Sequence, residues 1–208
     1  MHFLSTEYRV LSTLCLTMRL FVAIDLDDAI QQRIERFMES VRESAPEVRW
    51  VSPASLHITL KFIGESAQHD TIKEKLSTIQ ARKTQISFRG IGFFPTPRSP
   101  RVFWIGVEAD DHLVQAARSV DEALLPLGIE KEERAFTPHL TLARSGSGNP
   151  QRERTDGPNK KFQHLQERLA RMTPPDFGTM TAHEFFLYQS KTAPSGAVYT
   201  KLARFELQ

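Results

Sequence analysis

The sequence has almost no cysteine, no long apolar run and little net charge. Cys15 is the only cysteine among 208 residues, which excludes an intramolecular disulfide and a cysteine metal cluster and favours a reducing, cytoplasmic setting. No apolar stretch approaches the roughly eighteen residues of a membrane-spanning helix, so no membrane partner is expected. The 27 basic and 25 acidic residues nearly cancel. This balance argues against non-specific wrapping of long nucleic acid, which needs many phosphate contacts, but permits recognition of one terminal phosphate.

The first residues need a separate interpretation. Residues 10–18 are apolar, but Glu7 and Arg9 precede them and no small-residue cleavage site follows, which disfavours a signal peptide. We therefore expect the functional chain to start at Met18. Residues 1–17 are then a dispensable extension, and residues 18–208 form one domain.

A short motif occurs twice. The tetrapeptide His57-Ile58-Thr59-Leu60 returns eighty-two residues later as 139–142, with the sequence His-Leu-Thr-Leu. Side chains alternate along a strand, so each histidine shares a face with the threonine two residues on, while the apolar residues point the other way. Both segments are therefore predicted to be half-buried strands that present an imidazole and a hydroxyl.

The context of the motif is also repeated. Apolar strand patterns at 21–26 and 103–107 each begin thirty-six residues before a motif histidine. Each is followed by a helical pattern and then by a proline shortly before the histidine, Pro53 or Pro138. A strand–helix–strand unit used twice explains this spacing.

Hydrophobic periodicity predicts the remaining elements. Predicted strands cover 20–26, 48–51, 57–64, 85–94, 101–107, 135–143, 179–189 and 197–207, and predicted helices cover 28–41, 69–80, 111–125 and 160–171. The proline-rich residues 95–100 are expected to form a loop. This set indicates an α+β fold with antiparallel sheets, and the duplication indicates two lobes related by a pseudo-twofold axis.

Two histidines and two threonines suit acid–base chemistry on a phosphate. Imidazole titrates near neutrality, so one histidine can act as base while the other acts as acid at the same pH. Placed on opposite sides of a phosphorus, they would serve an in-line displacement, while the hydroxyls of Thr59 and Thr141 hold the non-bridging oxygens. No metal is needed, because proton transfer handles the leaving group.

Other interpretations have less support. A zinc or two-metal site needs three or four convergent ligands, and neither motif has a second histidine or carboxylate at ligand spacing. A serine hydrolase needs a nucleophile elbow, which is missing. Arg144 could meet a phosphate charge, but strand parity puts it opposite His139 unless the strand ends or kinks there. Tyr188 is expected to pack in the core, and the Gly-rich residues 145–159 are either a surface loop or a lid.

The motifs resemble those of a known superfamily. Two His-x-Thr-apolar motifs about eighty residues apart are similar to those of the two-histidine (2H) phosphoesterases. The start at 18–24, the nonapeptide at 136–144 and the segment at 187–190 look like the LigT-like branch, the bacterial and archaeal RNA 2′,3′-cyclic phosphodiesterases. The likeness extends in order over residues 18–208.

The resemblance implies both a fold and an activity. The fold would be bilobal α+β, with outer helices and an active-site groove between the lobes. The activity would be hydrolysis of a ribose 2′,3′-cyclic phosphate to a 2′-phosphate, in a monomer without metal or cofactor. His57 would be the proton donor, His139 the proton acceptor, Thr59 and Thr141 catalytic, and Arg144 a phosphate contact. RNA ends or nucleotides with a cyclic phosphate would be the partners.

Two alternatives stay open at this point. One is a 2H esterase that acts on another cyclic phosphate or on a 2′–5′ oligonucleotide, including 2′–5′ RNA ligation. The other is a non-catalytic module that binds RNA ends. Intact histidines in both motifs disfavour the second alternative, because binding alone could use lysine or arginine.

Overall fold

The computed structural model describes residues 17–146, 160–193 and 196–208. In these residues the chain forms two antiparallel sheets, with strand orders β3-β1-β8-β9 and β2-β6-β5-β4-β7. The strands are β1 Met18–Asp25, β2 Arg49–Trp50, β3 His57–Ser66, β4 Thr84–Thr96, β5 Ser99–Ala109, β6 His139–Arg144, β7 Asp176–Ala182, β8 Glu184–Ala193 and β9 Gly196–Glu206. The α-helices are α1 Asp28–Val41, α2 His69–Ser77, α3 Asp111–Leu124 and α4 Gln163–Leu169. Single 3-10 turns lie at Arg42–Ser44, Pro53–Ser55, Leu125–Leu127 and Lys160–Phe162.

The predicted duplication is present in the sheets. In each half a strand, a helix and the motif strand follow one another, as β1-α1-β3 and as β5-α3-β6, and each motif strand pairs antiparallel with the first strand of its unit. The ladders have the same register, with His57 opposite Asp25 and His139 opposite Gly106. The α+β fold with two related sheets is therefore confirmed.

The helices begin in the same way in both halves. Asp27 caps α1 by accepting a hydrogen bond from the backbone N–H of Ile30 at 2.8 Å, and Asp110 caps α3 through the N–H of His112 at 3.0 Å. Such a cap satisfies one of the unpaired N–H groups at a helix start. Each aspartate follows closely on the end of a strand, so the turn from strand to helix is encoded locally.

The helices place the core between themselves and the sheets. The apolar face of α1, which includes Ile30, Ile34 and Phe37, is buried, and α1 packs on β7 of the five-stranded sheet. Helix α3 packs on β3 of the four-stranded sheet and against α2. The helix of each motif unit thus packs on the sheet of the other unit, and these contacts join the two halves.

Several predicted boundaries were wrong, and three of the differences have a clear physical reason. Residues 95–100 continue the β4–β5 hairpin with a two-residue turn, because the prolines interrupt the ladder only at its end. The predicted strand 179–189 is two strands, since β7 pairs in one sheet and β8 in the other. The second motif strand begins at His139 rather than at 135, after Pro138, which has no N–H for a ladder.

Two predictions concern residues outside the described ones. The first is the dispensable extension, of which residues 1–16 lie outside the described part of the chain. The second is the loop or lid, of which residues 147–159 lie outside it. Within the described part of the chain, no helix has the length and apolar character needed to cross a membrane.

Candidate active site

Both motif histidines are held by the same hydrogen bond. His57 Nδ1 lies 2.8 Å from the carbonyl oxygen of Ser55, and His139 Nδ1 lies 2.9 Å from that of Thr137. A carbonyl can only accept, so Nδ1 carries the hydrogen and donates in each ring. The tautomer is thereby fixed, and Nε2 remains for a ligand on both histidines.

The structure brings the two motif strands together. Strands β3 and β6 contact each other between the sheets, although the motifs are far apart in sequence. The charges of His139 and Arg144 act on His57 across this contact. Thr59 and Thr141 are half-buried, each on the face of its own histidine. The predicted catalytic residues therefore lie on two strands that contact each other.

Each motif strand contains the same β-bulge. The β1–β3 ladder passes over Leu60, and the β5–β6 ladder passes over Leu142, the residue after the threonine in both cases. An extra residue reverses the alternation beyond it. Phe62 and Arg144, at equivalent positions, therefore return to the face of the histidines. The kink that Arg144 needed to reach the site is thus present.

Arg144 lies beside the second threonine. Its Nη2 is 3.5 Å from Thr141 Oγ1, at the limit of a hydrogen bond. Arg144 is exposed, but partial desolvation by its neighbours lowers the pKa of its guanidinium, which the Tyr199 hydroxyl partly offsets, and an arginine keeps its charge in proteins. No carboxylate of the described residues forms an ion pair with Arg144. Its positive charge is available to an anion.

Aromatic rings surround His57. Its centroid lies 4.8 Å from Phe21, 5.2 Å from Tyr199 and 6.4 Å from Tyr188. Burial lowers the pKa of His57, as do the charges of Arg144 and His139, while the Ser55 carbonyl and the Asp25 carboxylate oppose this effect. In the free protein the balance favours neutral imidazole.

The surroundings of His139 differ. Its ring meets the Phe94 ring edge-on at 5.0 Å, and Phe94 lies 5.0 Å from Trp104. Trp104 is paired with Thr141 and packs over Gly92, where any Cβ would overlap the indole. A residue with a side chain at position 92 would therefore displace the Trp104 indole.

A polar cluster that sequence reasoning missed lies beside His57. The Tyr188 hydroxyl donates to Asp25 Oδ1 at 2.5 Å, and Lys201 Nζ lies 2.6 Å from Asp25 Oδ2. Tyr188 does pack as expected, stacking on Phe21 at 5.1 Å, but its hydroxyl has this second contact. Strand alternation along residues 21–25 could have placed Asp25 on the histidine face.

The described residues contain no group of three or more histidine, cysteine, aspartate or glutamate side chains arranged to hold a metal ion. The groups that converge are instead two imidazoles, two hydroxyls and an arginine. Together they can donate and accept protons and bind an anion.

Comparison with known proteins identifies the family. The model of the 2′-5′ RNA ligase superfamily matches residues 26–190, and the chain belongs to this family. It is 36% identical to the RNA 2′,3′-cyclic phosphodiesterase of Archaeoglobus fulgidus over 91% of this chain and 100% of that protein. It is 34% identical to the protein of the same name from Methanocaldococcus jannaschii, over 88% and 96% of the two chains. The crystal structure of E. coli LigT complexed with 3′-AMP superposes with a TM-score of 0.72 at 27% identity, covering 92% of this chain and 99% of that one.

Proposed function

We propose that this protein hydrolyses the 2′,3′-cyclic phosphate of an RNA end or nucleotide to a 2′-phosphate without a metal ion. The observation that carries the proposal is the matched presentation of the two histidines, each with Nδ1 bonded to a carbonyl two residues earlier. The names of the relatives in A. fulgidus and M. jannaschii support the choice of substrate.

The reaction is an in-line displacement at phosphorus. A water oxygen bonds to phosphorus while its proton passes to His139 Nε2, and the bond from phosphorus to the ribose 3′ oxygen breaks. His57 Nε2–H protonates that departing oxygen, which leaves a 3′-hydroxyl and a 2′-phosphate. Each positioned acid or base contributes about 10²–10⁴ in rate.

The remaining residues bind the phosphate. The hydroxyls of Thr59 and Thr141 donate to its two non-bridging oxygens, one from each motif strand. Arg144, beside Thr141, faces the charge that grows in the transition state. The negative phosphate also favours the protonated form of His57, which burial alone disfavours.

The proposal is tested with nucleoside 2′,3′-cyclic phosphates in the presence of EDTA. We expect a nucleoside 2′-phosphate as product and a loss of at least about a hundredfold in kcat for His57→Ala and for His139→Ala. His183→Ala is the matched control, because His183 lies in the link between β7 and β8. A 3′-phosphate product, dependence on added metal, or full activity in either motif variant would disprove the scheme.

The family name favours a second reaction at the same site. A 5′-hydroxyl of RNA in place of water would attack the cyclic phosphate and form a 2′–5′ linkage, with the same two proton transfers. Incubation with a 5′-hydroxyl oligonucleotide tests this reaction, because ribonucleases that need a free 2′-hydroxyl cleave the 3′–5′ linkages but leave the new 2′–5′ linkage uncut. Joining should disappear in His139→Ala together with hydrolysis.

The proposed enzyme is a monomer in the cytoplasm. One chain supplies both histidines and the arginine, so catalysis requires no second copy. The single cysteine fits a reducing setting. Activity per chain that rises with protein concentration would contradict the monomer.

A further inference from the structure

The two halves of the site differ at one pair of equivalent positions. Asp25 lies directly opposite His57 in the β1–β3 ladder, whereas Gly106 takes that place opposite His139. Alternation puts Asp25 on the same face as Phe21, whose ring packs against His57. One histidine therefore has a carboxylate across the ladder, and the other has none.

The Asp25 carboxylate is fixed by residues from the end of the chain. Tyr188 donates to one of its oxygens and Lys201 contacts the other. Burial and the nearby carboxylate raise the pKa of Tyr188, so this hydroxyl keeps its proton and remains a donor. The Lys201 ammonium lies against the other Asp25 oxygen and fixes its position. Asp25 thus supplies a stationary negative charge rather than a group that moves protons.

Among the described residues, the other groups that contact or act on His57 carry no negative charge at neutral pH. They are the Ser55 carbonyl, His139 and Arg144 on β6, Tyr188 on β8 and Tyr199 on β9, while Lys201 on β9 contacts Asp25. The positive charges among them disfavour imidazolium at position 57. Asp25 provides the negative charge that opposes them.

We propose that Asp25 is a positioning residue that makes His57 the proton donor, while Gly106 leaves His139 to act as the acceptor. The proposal rests on the proposed function. Asp25 forms and breaks no bond in the reaction. It stabilises the protonated imidazole of His57, and through Tyr188 and Phe21 it fixes the packing around that ring.

Two variants test the proposal in opposite directions. At pH above the pKa of both histidines, kcat/KM is proportional to the protonated fraction of the donor. Asp25→Asn removes the carboxylate that opposes the lowering of the His57 pKa, so it should lower kcat/KM about tenfold there and leave it unchanged at acid pH. Lys201→Met leaves Asp25 uncompensated and should raise kcat/KM at alkaline pH. Lys201 is 51% exposed, so the fold tolerates this change.

The titration of the His57 imidazole by NMR gives a second readout. Its midpoint should move to lower pH in Asp25→Asn and to higher pH in Lys201→Met, and Asp25→Glu should restore the wild-type profile. Glu65→Gln, which removes an exposed carboxylate of the same sheet, should change nothing. An equal loss at every pH in Asp25→Asn, or a gain at acid pH, would overturn the proposal. Failure of the proposed function would give a different result. The wild-type protein would then show no turnover, while the His57 titration midpoint would still move as expected in the Asp25 and Lys201 variants.

Discussion

A buried ion pair joins the first motif strand to the helix of the other half. Lys61 Nζ on β3 lies 2.5 Å from Asp121 Oδ1 on α3 and 2.5 Å from the carbonyl oxygen of Glu130. The bulge after Thr59 turns Lys61 inward, so its side chain is only 5% exposed, whereas that of Asp121 is 20% exposed. The two partners should therefore respond differently to loss of the pair.

The difference in burial sets the expected magnitudes. Asp121→Asn leaves the Lys61 ammonium buried without a counter-charge, which costs about 3–5 kcal/mol. Lys61→Met leaves Asp121 Oδ1 buried and unpaired, but the Asp121 side chain is 20% exposed, so part of its charge stays solvated and the cost is lower, about 2 kcal/mol. In the double variant no charge is left unpaired. The coupling energy should therefore be about 1–3 kcal/mol, so that the double variant loses less stability than the two single variants lose together.

Urea unfolding measures these free energies, followed by far-UV circular dichroism and by the fluorescence of Trp50 and Trp104. Similar m-values are needed in all four proteins for the comparison to hold. The exposed pair of Arg19 and Glu65 is the control, since its loss should cost less than about 1 kcal/mol. A larger cost for Lys61→Met than for Asp121→Asn, or simple additivity, would refute this reasoning.

Three further predictions concern the groove. Gly92→Ala should displace the Trp104 indole and lower kcat/KM. Gly92 has no positive φ, so the clash with the indole is the cause of the effect, and an unchanged kcat/KM would contradict it. Phe62 is 65% exposed on the histidine face, where it can stack on a base. Phe62→Ala should therefore raise the KM for a cyclic nucleotide about tenfold, and Phe62→Tyr should keep the wild-type KM. An unchanged KM in Phe62→Ala would exclude stacking. Folding lowers the pKa of His57, so the unfolded chain binds its proton more readily and stability falls as pH drops through about 6.5. This loss of stability should be smaller in His57→Gln. Urea unfolding at several pH values measures it, and an equal dependence of the unfolding free energy on pH in both proteins would contradict the prediction.

Local patterns determined much of this protein. Alternation around His57 and His139 fixed which face each threonine shares, because a strand has a period of two whatever its partner is. The helix start after Asp27 followed from a cap and an apolar period that need no distant contact. The repeat of these units was sufficient to predict two related halves and the candidate catalytic residues on each.

Tertiary structure decided the rest. The passage from β7 to β8 changes sheet within a continuous apolar pattern, and periodicity does not reveal which partner strand a segment has. The bulges that turn Phe62 and Arg144 to the groove exist only in the paired ladders. Asp25 acquires Tyr188 and Lys201 from more than 160 residues away. The sequence supplied two equal histidines, and distant strands gave only one of them a fixed carboxylate, because electrostatic environments depend on neighbours in space.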